Sequence, residues 1–135
     1  MYFEMEYRVP YADTDKMGVV YYANYLEYFE RGRTEMLRHA GMSYAEMEEA
    51  GYLLPVSEAY CKYHSSAKYD DLLTFRTAVT EFSRVKMTIR CEVYRQDELL
   101  ASGHVVLGCV DAATFKVTRL PAQMVDFCKK CVGEE

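Results

Sequence analysis

Residues 11–41 read YADTDKMGVVYYANYLEYFERGRTEMLRHAG, and this stretch decides how the fold is interpreted. It joins a glycine-containing loop with two carboxylates, Asp13 and Asp15, to a long segment of helical periodicity. Apolar side chains recur in that segment at spacings of three and four residues, which is typical of a helix with one buried face. Gly41 is a residue type that commonly ends a helix. The stretch therefore places two candidate catalytic carboxylates directly before a long helix that can hold them in place.

Capping signals predict where the helices begin. Asn24 followed by Glu27 resembles a capping box at the start of the long helix. The same pattern from Ser43 to Glu46 predicts a second, shorter helix. Pro121 suits the first turn of a C-terminal helix.

The remaining segments favour strands. Residues 3–9 alternate apolar and polar side chains, which predicts a strand with one buried face. Further strands are predicted over residues 53–63, 72–82, 86–94, 99–110 and 115–117. Short links join the strands 72–82, 86–94 and 99–110, which predicts an antiparallel meander. The segment 99–110 is apolar in both phases, so we expect it to be the central strand. The expected fold class is α+β, with one helix packed on one antiparallel sheet in a single domain over residues 1–135.

Composition limits the classes of function. The chain is 50% hydrophobic, which excludes a disordered chain, and its formal net charge of -5 argues against nonspecific nucleic-acid binding. No apolar run approaches the roughly 18 residues of a membrane span, and no basic and apolar leader is visible. We therefore expect a cytoplasmic protein without a membrane span.

The five cysteines do not predict a metal or redox centre. Cys128 and Cys131 form a C-x-x-C, but a zinc site needs two more ligands, and no histidine is spaced near the pair. We expect reduced thiols, no metal and no cofactor, and we leave the role of this pair open.

The carboxylate loop has two interpretations. A carboxylate can act as nucleophile or general base in acyl transfer, and the unpaired amides at a helix start, here around Tyr22, can polarise a thioester or ester carbonyl. Alternatively, Asp13 and Thr14 only form turn hydrogen bonds and Asp15 caps the helix. Residue types alone leave both open.

A longer motif supports the first interpretation. The string D-T-D-x-x-G-V-V-Y-x-x-N-Y, continued by F-E-R-x-R-T-E-M-L-R, resembles the hotdog-fold acyl-CoA thioesterases of the 4-hydroxybenzoyl-CoA thioesterase family, especially the branch associated with the Tol-Pal envelope system. The similarity extends over the chain, including P-V-S-x-x-x-x-x-Y at residues 55–63 and Y-D-D at residues 69–71. This resemblance implies a curved antiparallel sheet wrapped around the long helix.

The resemblance also implies roles for individual residues. Asp15 corresponds to the catalytic carboxylate, and the backbone N–H at Tyr22 corresponds to the group that polarises the thioester carbonyl. Some members of the branch carry His at the Tyr22 position, so only the backbone role transfers. The remaining residues expected to bind substrate are Gly18, Val19 and Tyr25 near the loop, and Ser83, Arg84 and Lys86 in a basic turn that matches a coenzyme A contact of the family. The alternative for Arg84 is an ordinary solvated turn charge.

The expected activity is hydrolysis of acyl-CoA to a free acid and CoA. The resemblance implies a dimer with active sites at the interface, and often a homotetramer made from two dimers. An enzyme that takes acyl groups from acyl carrier protein is one alternative, and a non-hydrolytic acyl-CoA binder on the same fold is another. A hotdog dehydratase is disfavoured because no His lies in the loop before the helix.

Three residues outside the loop carry further expectations. Arg33 lies on the apolar face of the long helix, where an unpaired charge is costly, so we expect it to be paired inside the dimer with Glu58 as first candidate. The alternative is an exposed arginine at the edge of that face. We expect His104 to be a hydrogen-bonded core histidine and His64 to lie in a solvated turn.

Overall fold

The computed structural model describes residues 1–133, and these form seven strands and three α-helices. The helices are α1 (Asn24–His39), α2 (Tyr44–Glu49) and α3 (Ala122–Val132). The strands are β1 (Phe3–Arg8), β2 (Tyr52–Leu53), β3 (Val56–Tyr63), β4 (Leu72–Phe82), β5 (Lys86–Arg95), β6 (Glu98–Gly108) and β7 (Val110–Asp111). The predicted α+β class is confirmed.

Five strands form one antiparallel sheet in the order β1-β4-β5-β6-β3. The predicted meander is confirmed, because β4 pairs with β5 and β5 pairs with β6. The middle strand is β5, so the expectation that residues 99–110 would be central is wrong. The strand β6 lies inside the sheet between β5 and β3. The strand β3 forms one edge of the sheet.

The long helix α1 packs its predicted apolar face against this sheet. Tyr28, Phe29 and Leu37 are among its fully buried side chains. Gly32 allows a close approach to β4, since a Cβ at this position would overlap the side-chain oxygen of the buried Thr77. Gly41 follows the helix with a φ of 82°, a left-handed conformation that favours glycine.

Only one of the two predicted capping boxes forms. The Ser43 side chain accepts a hydrogen bond from the Glu46 amide, and the Glu46 carboxylate accepts one from the Ser43 amide, so α2 begins as predicted. The box expected from Asn24 to Glu27 is wrong, because Ala23 is the N-cap of α1 and supplies no side-chain hydrogen bond. Hydrogen bonds of a turn precede α1, and in one of them the amide of Asn24 donates to the carbonyl of Tyr21.

Three predicted strands differ from the structure. The segment 99–110 is divided at Cys109 into β6, in the five-stranded sheet, and β7. The segment 53–63 is divided at Pro55 into β2 and β3, and β2 pairs with β7 in a separate two-stranded ribbon. The segment 115–117 is not a strand: Phe115 has a φ of 58°, and only an isolated bridge joins Val117 to Val110. A left-handed residue cannot continue a regular strand.

The helix α3 closes the core at one end, with Pro121 as its N-cap residue. Met124 and Cys128 are fully buried there. Within residues 1–133, none of the helices combines the length and the apolar character needed to cross a membrane.

Candidate active site

The loop that carries Asp15 is a short hairpin. After a 3-10 turn over Tyr11–Asp13, an antiparallel bridge joins Thr14 to Val20. The amide of Asp15 donates to the carbonyl of Val19 at 2.9 Å, and the amide of Gly18 donates back to the carbonyl of Asp15 at 3.0 Å. Gly18 has a φ of 80°, which its lack of a side chain permits. The hairpin therefore fixes the backbone on both sides of Asp15.

A neighbouring segment anchors this hairpin to the body of the protein. Val19 forms a bridge with Lys68, and the amide of Val20 donates to the carbonyl of Ala67 at 2.9 Å. The amide of Ala67 in turn donates to the hydroxyl of Tyr25, which lies in the first turn of α1. Gly18, Val19 and Tyr25, three of the predicted substrate-binding residues, are thus brought together with Asp15.

The Asp15 side chain is half-buried and only partly bonded. One carboxylate oxygen accepts a hydrogen bond from the amide of Met17 at 2.9 Å. The second oxygen receives no hydrogen bond from any of residues 1–133. One oxygen therefore fixes the orientation of the carboxylate, and the other is available to a water or a substrate.

Asp13 has a different environment. Its side chain is buried, and one carboxylate oxygen accepts hydrogen bonds from the hydroxyls of Tyr7 at 2.7 Å and Tyr28 at 2.8 Å. Its backbone carbonyl accepts a hydrogen bond from the amide of Tyr21 at 2.9 Å. Asp13 thus links β1, α1 and the hairpin, and we call Tyr7, Asp13 and Tyr28 the Asp13 cluster.

Burial keeps the phenols of this cluster protonated. Burial, followed by the hydrogen bond to Asp13, raises the pKa of Tyr7 to about 12. The same two causes raise the pKa of Tyr28 still further. The guanidinium of Arg31 lies 4.9 Å from the centre of the Tyr7 ring, a cation–π contact on the outer side of the cluster. Both phenols therefore remain donors to Asp13 at neutral pH.

The chain passes directly from the hairpin to the N-terminus of α1. Within residues 1–133, no group accepts a hydrogen bond from the amides of Tyr22 or Ala23. Unpaired amides at a helix start carry the positive end of the helix dipole and can bind an anion or a polarised carbonyl oxygen. The Tyr22 side chain is exposed, and its backbone amide is the group at this position that could act in the chemistry.

Tyr63 lies beside Tyr22, and no role was predicted for it, although it ends the P-V-S-x-x-x-x-x-Y motif. Its hydroxyl donates to the carbonyl of Tyr22 at 2.9 Å, and its ring makes edge contacts with the rings of Tyr22 and Tyr25. Burial raises the pKa of Tyr63 to about 12, so this hydroxyl is a neutral donor. The contact itself could not be predicted, because Tyr63 and Tyr22 are 41 residues apart and meet only through the fold.

The predicted coenzyme A turn lies far from this hairpin within one chain. Ser83, Arg84 and Lys86 form the turn between β4 and β5, where the amide of Ser83 donates to the carbonyl of Lys86. The hairpin lies beyond the opposite end of β4, where the carbonyl of Asp71 accepts the amide of Val9. At ~3.3 Å per residue, β4 separates the two by about 33 Å along the strand. A single chain does not bring these residues together with Asp15.

Arg33 is buried, as predicted, but Glu58 does not pair with it within the chain. The Arg33 guanidinium donates to the hydroxyl of Tyr44 at 3.1 Å, whereas Glu58 bonds to His104 at 2.6 Å. The alternative of an exposed Arg33 is therefore wrong, and pairing with Glu58 across a dimer stays a prediction. His104 is not a core histidine, because its side chain keeps about a third of its surface exposed on the outer face of the sheet.

The other candidate groups give no sign of a metal or redox centre. Among residues 1–133, no group of three or more His, Cys, Asp or Glu side chains is placed to hold a metal ion. Cys128 and Cys131 are free thiols, and burial raises the pKa of Cys128 to about 12. His64, predicted in a solvated turn, is exposed and shares a hydrogen bond with the hydroxyl of Ser102 at 2.9 Å.

Comparisons with known proteins agree on one family. The model of the thioesterase-like superfamily matches residues 9–127. The acyl-CoA thioester hydrolase YbgC of Escherichia coli O6:H1 is 33% identical over 124 residues, covering 91% of this chain and 92% of that protein. The acyl-CoA thioesterase YbgC of Haemophilus influenzae is 35% identical over 123 residues, covering 90% of each chain.

Solved structures agree with the sequence comparisons. The DHNA-CoA thioesterase from Staphylococcus aureus has a TM-score of 0.86 and 35% identity, and the match covers 93% of this chain and 85% of that one. A protein from Aquifex aeolicus has a TM-score of 0.90 and 30% identity, with 94% and 99% coverage. The chain therefore belongs to the thioesterase-like superfamily, and the predictions of a hotdog fold and of a thioester-hydrolysing enzyme are confirmed.

Proposed function

We propose that this protein hydrolyses acyl-CoA thioesters to a free acid and CoA, with Asp15 as the catalytic carboxylate. The proposal rests on two groups that lie on one short segment and have no hydrogen-bond partner within residues 1–133. They are one carboxylate oxygen of Asp15 and the backbone amide of Tyr22. The curated relatives, which are acyl-CoA thioester hydrolases, support CoA as the carrier of the acyl group.

In this mechanism the thioester carbonyl oxygen accepts a hydrogen bond from the amide of Tyr22. Negative charge develops on that oxygen as the carbonyl carbon becomes tetrahedral, and a fixed amide donor of this kind is worth about 2.7–4 kcal/mol of barrier lowering. In one route Asp15 attacks the carbon and displaces the thiolate, forming an acyl–Asp15 anhydride that water then hydrolyses to the free acid and the regenerated carboxylate. In the other route Asp15 removes a proton from the water that attacks the carbon. In both cases the CoA thiolate leaves and takes up a proton.

A second copy of the chain completes this site in our proposal. The strand β3 is an eight-residue edge strand, and antiparallel pairing of two β3 edges would continue the sheet. A two-fold axis across that pair would place the Val56 end of one β3 beside the Tyr63 end of the other. The Arg84 turn of a second copy would then lie at the same end of the sheet as Asp15. We propose a homo-oligomer, either a dimer or a homotetramer built from two dimers.

The same symmetry supplies a pocket for the acyl group. An apolar cavity of about 590 Å³ lies near the Val56 end of β3, and its lining includes Tyr44, Met47, Leu54 and Phe115. In the paired arrangement this cavity of one copy would open toward the Asp15 hairpin of the other. Met47 is a flexible side chain that can adapt to acyl groups of different shape.

The test is thiol release from a panel of short, long and aromatic acyl-CoAs by the wild type and by Asp15→Asn. The asparagine oxygen can still accept from the Met17 amide, so the variant should keep the hairpin while losing at least about 100-fold in kcat, as expected for a lost general base. Asp97→Asn, an exposed carboxylate in the turn between β5 and β6, is the matched control and should keep full activity.

Each outcome separates the proposal from its alternatives. Wild-type protein that binds acyl-CoA but releases no thiol on any substrate would indicate a non-hydrolytic binder. Turnover of acyl groups on acyl carrier protein alone would identify that protein as the carrier. Undiminished turnover by Asp15→Asn would remove Asp15 from the mechanism. The cytoplasmic location and the single-domain organisation expected from the sequence stay predictions.

A further inference from the structure

The buried arginine of α1 uses only part of its hydrogen-bonding capacity. Arg33 is 8% exposed, and its Nε donates to the hydroxyl of Tyr44 at 3.1 Å. Within residues 1–133, its two terminal nitrogens donate no hydrogen bond, and its side chain forms no ion pair. In this part of the chain no fully buried side-chain nitrogen lacks a partner. The two terminal nitrogens of Arg33 therefore reach the surface of the single chain.

No carboxylate within residues 1–133 compensates this charge. Glu30 lies about one turn earlier on α1, but its side chain is exposed and is not paired with Arg33. Glu58 bonds to His104 on the outer face of the sheet, away from α1. A largely buried cation without an anion is costly. The position of Arg33 therefore favours an anionic ligand from outside the chain.

The hydroxyl of Tyr44 connects this charge to the apolar cavity near the start of β3. Tyr44 is the first residue of α2 and lines that cavity of about 590 Å³. Its oxygen accepts from Arg33, and its own O–H has no acceptor within residues 1–133. Burial raises the pKa of Tyr44, although the positive charge of Arg33 opposes this effect, so the phenol stays protonated at neutral pH. The cavity wall thus carries an unused O–H donor with a cation behind it.

The other walls of the cavity suit a hydrocarbon chain. Glu48 also contributes to the lining, but its side chain is exposed and forms no hydrogen bond with Tyr44 or Arg33. Most of the remaining lining residues are apolar, and they include Met47, Leu53, Leu54, Pro55 and Val110. An apolar chain that ends in a hydrogen-bond acceptor would match this combination of walls.

We propose that Tyr44 and Arg33 select acyl groups that carry a second carboxylate at the end far from the thioester. The inference rests on the proposed function and names its substrate class, the CoA thioesters of dicarboxylic acids. The methylene groups pack against the apolar walls, and the far carboxylate accepts from the Tyr44 hydroxyl and from a terminal nitrogen of Arg33. Hydrolysis of the thioester then releases CoA and a dicarboxylic acid.

The paired arrangement places this donor beyond the reacting carbonyl. The Tyr63 end of β3 in one copy lies beside the Val56 end in the other, about 4.8 Å away across the strand pair. Tyr63 holds the carbonyl of Tyr22, so a thioester at that amide lies close to the other copy's residues just before Val56. Two of those residues, Leu54 and Pro55, line the cavity. The acyl group would enter there and extend toward Tyr44.

The experiment compares CoA thioesters that differ only at the last carbon of the acyl group. Adipoyl-, suberoyl- and sebacoyl-CoA end in a carboxylate, whereas hexanoyl-, octanoyl- and decanoyl-CoA of the same lengths end in a methyl group. The readout is the ratio of kcat/KM within each pair. We expect the wild type to favour the dicarboxylic member of at least one pair by about tenfold or more. A smaller preference at every length would overturn the proposal.

Three variants and a control assign the preference to the two residues. Tyr44→Phe should lower kcat/KM for the preferred dicarboxylic thioester about tenfold and leave that for its methyl counterpart within about twofold. Arg33→Met should reverse the preference, and the conservative Arg33→Lys, which keeps the charge, should retain part of it. Tyr60→Phe removes an exposed hydroxyl from the outer face of the sheet and should keep the wild-type ratio.

Two results would assign these side chains a purely structural role. An equal loss of kcat/KM for both members of a pair in Tyr44→Phe would overturn the proposal. Dissociation of the homo-oligomer in Arg33→Met, measured by analytical ultracentrifugation, together with an unchanged preference would also overturn it. In that case the terminal nitrogens of Arg33 would serve the contact between copies.

A binding measurement keeps this test independent of catalysis. Calorimetric titrations of suberoyl-CoA and octanoyl-CoA into Asp15→Asn should show about tenfold tighter binding of suberoyl-CoA, and Tyr44→Phe in the same background should remove the difference. That result for a protein whose wild type releases no thiol would refute the proposed hydrolysis and support the roles of Tyr44 and Arg33. Equal binding of both thioesters by Asp15→Asn would refute those roles even where hydrolysis is found.

Discussion

Removal of one hydroxyl from the Asp13 cluster should weaken both stability and catalysis. In Tyr28→Phe the ring keeps its contacts, stacked 5.0 Å from the ring of Phe75, while Asp13 loses the donor at 2.8 Å. Tyr28 is fully buried, so water cannot replace that donor. A hydrogen bond to a charged group contributes about 1.5–3 kcal/mol, and we expect a loss of about 2 kcal/mol in the free energy of unfolding.

Thermal and urea unfolding measure this loss directly. For a chain of this length, 2 kcal/mol corresponds to a decrease of roughly 8 °C in Tm. Because the carbonyl of Asp13 also holds the amide of Tyr21 ahead of the helix start, we expect kcat to fall about tenfold. Tyr60→Phe removes an exposed hydroxyl and should change stability by less than about 0.5 kcal/mol. Tyr28→Phe with the stability and kcat of the wild type would refute the reasoning.

Three further perturbations test other parts of the fold. Gly103→Ala should cost about 1–3 kcal/mol by denaturant unfolding, because its Cβ would overlap the backbone carbonyl of Tyr60 across β3 and β6, whereas Gly108→Ala, with open space, should change little. Ser43→Ala should lose about 1 kcal/mol with the capping box of α2, and an unchanged unfolding midpoint would contradict this. Tyr7 keeps its proton in the folded state up to a pKa of about 12 but loses it near 10.0 when unfolded, so the stability it contributes should decrease as pH rises from 10 to about 12. Tyr7→Phe should flatten that decrease in Tm measured against pH.

Local chemistry explains which elements could be predicted from the sequence. The alternation of residues 3–9 reflects the strand period of two, and Val9 and the apolar side chains of β1 face the helix as that period requires. The Ser43 box involves groups only three residues apart, so the sequence contains the whole interaction. The partners of Asp13 were not predicted, because Tyr7 and Tyr28 lie on other elements.

Contacts between residues that are far apart in the chain could not be predicted from the sequence. Tyr63 reaches the carbonyl of Tyr22 across 41 residues, and the amide of Leu120 reaches Arg84 because the last segment returns along the sheet. Neither contact leaves a periodic or spaced pattern. The strand predicted over residues 115–117 was wrong for a different reason. A left-handed backbone is locally unfavourable at a large apolar residue such as Phe115, and the surrounding turn holds it in that conformation.

The unpaired edge of β3 has a consequence for how the protein behaves on dilution. Its eight residues present backbone donors and acceptors on the side away from β6, and such an edge is a template for another strand. In the assembly proposed above each site draws on two molecules. Specific activity should therefore fall as protein concentration drops below the dissociation constant of the pair, and hydrolytic output should rise more steeply than linearly with abundance.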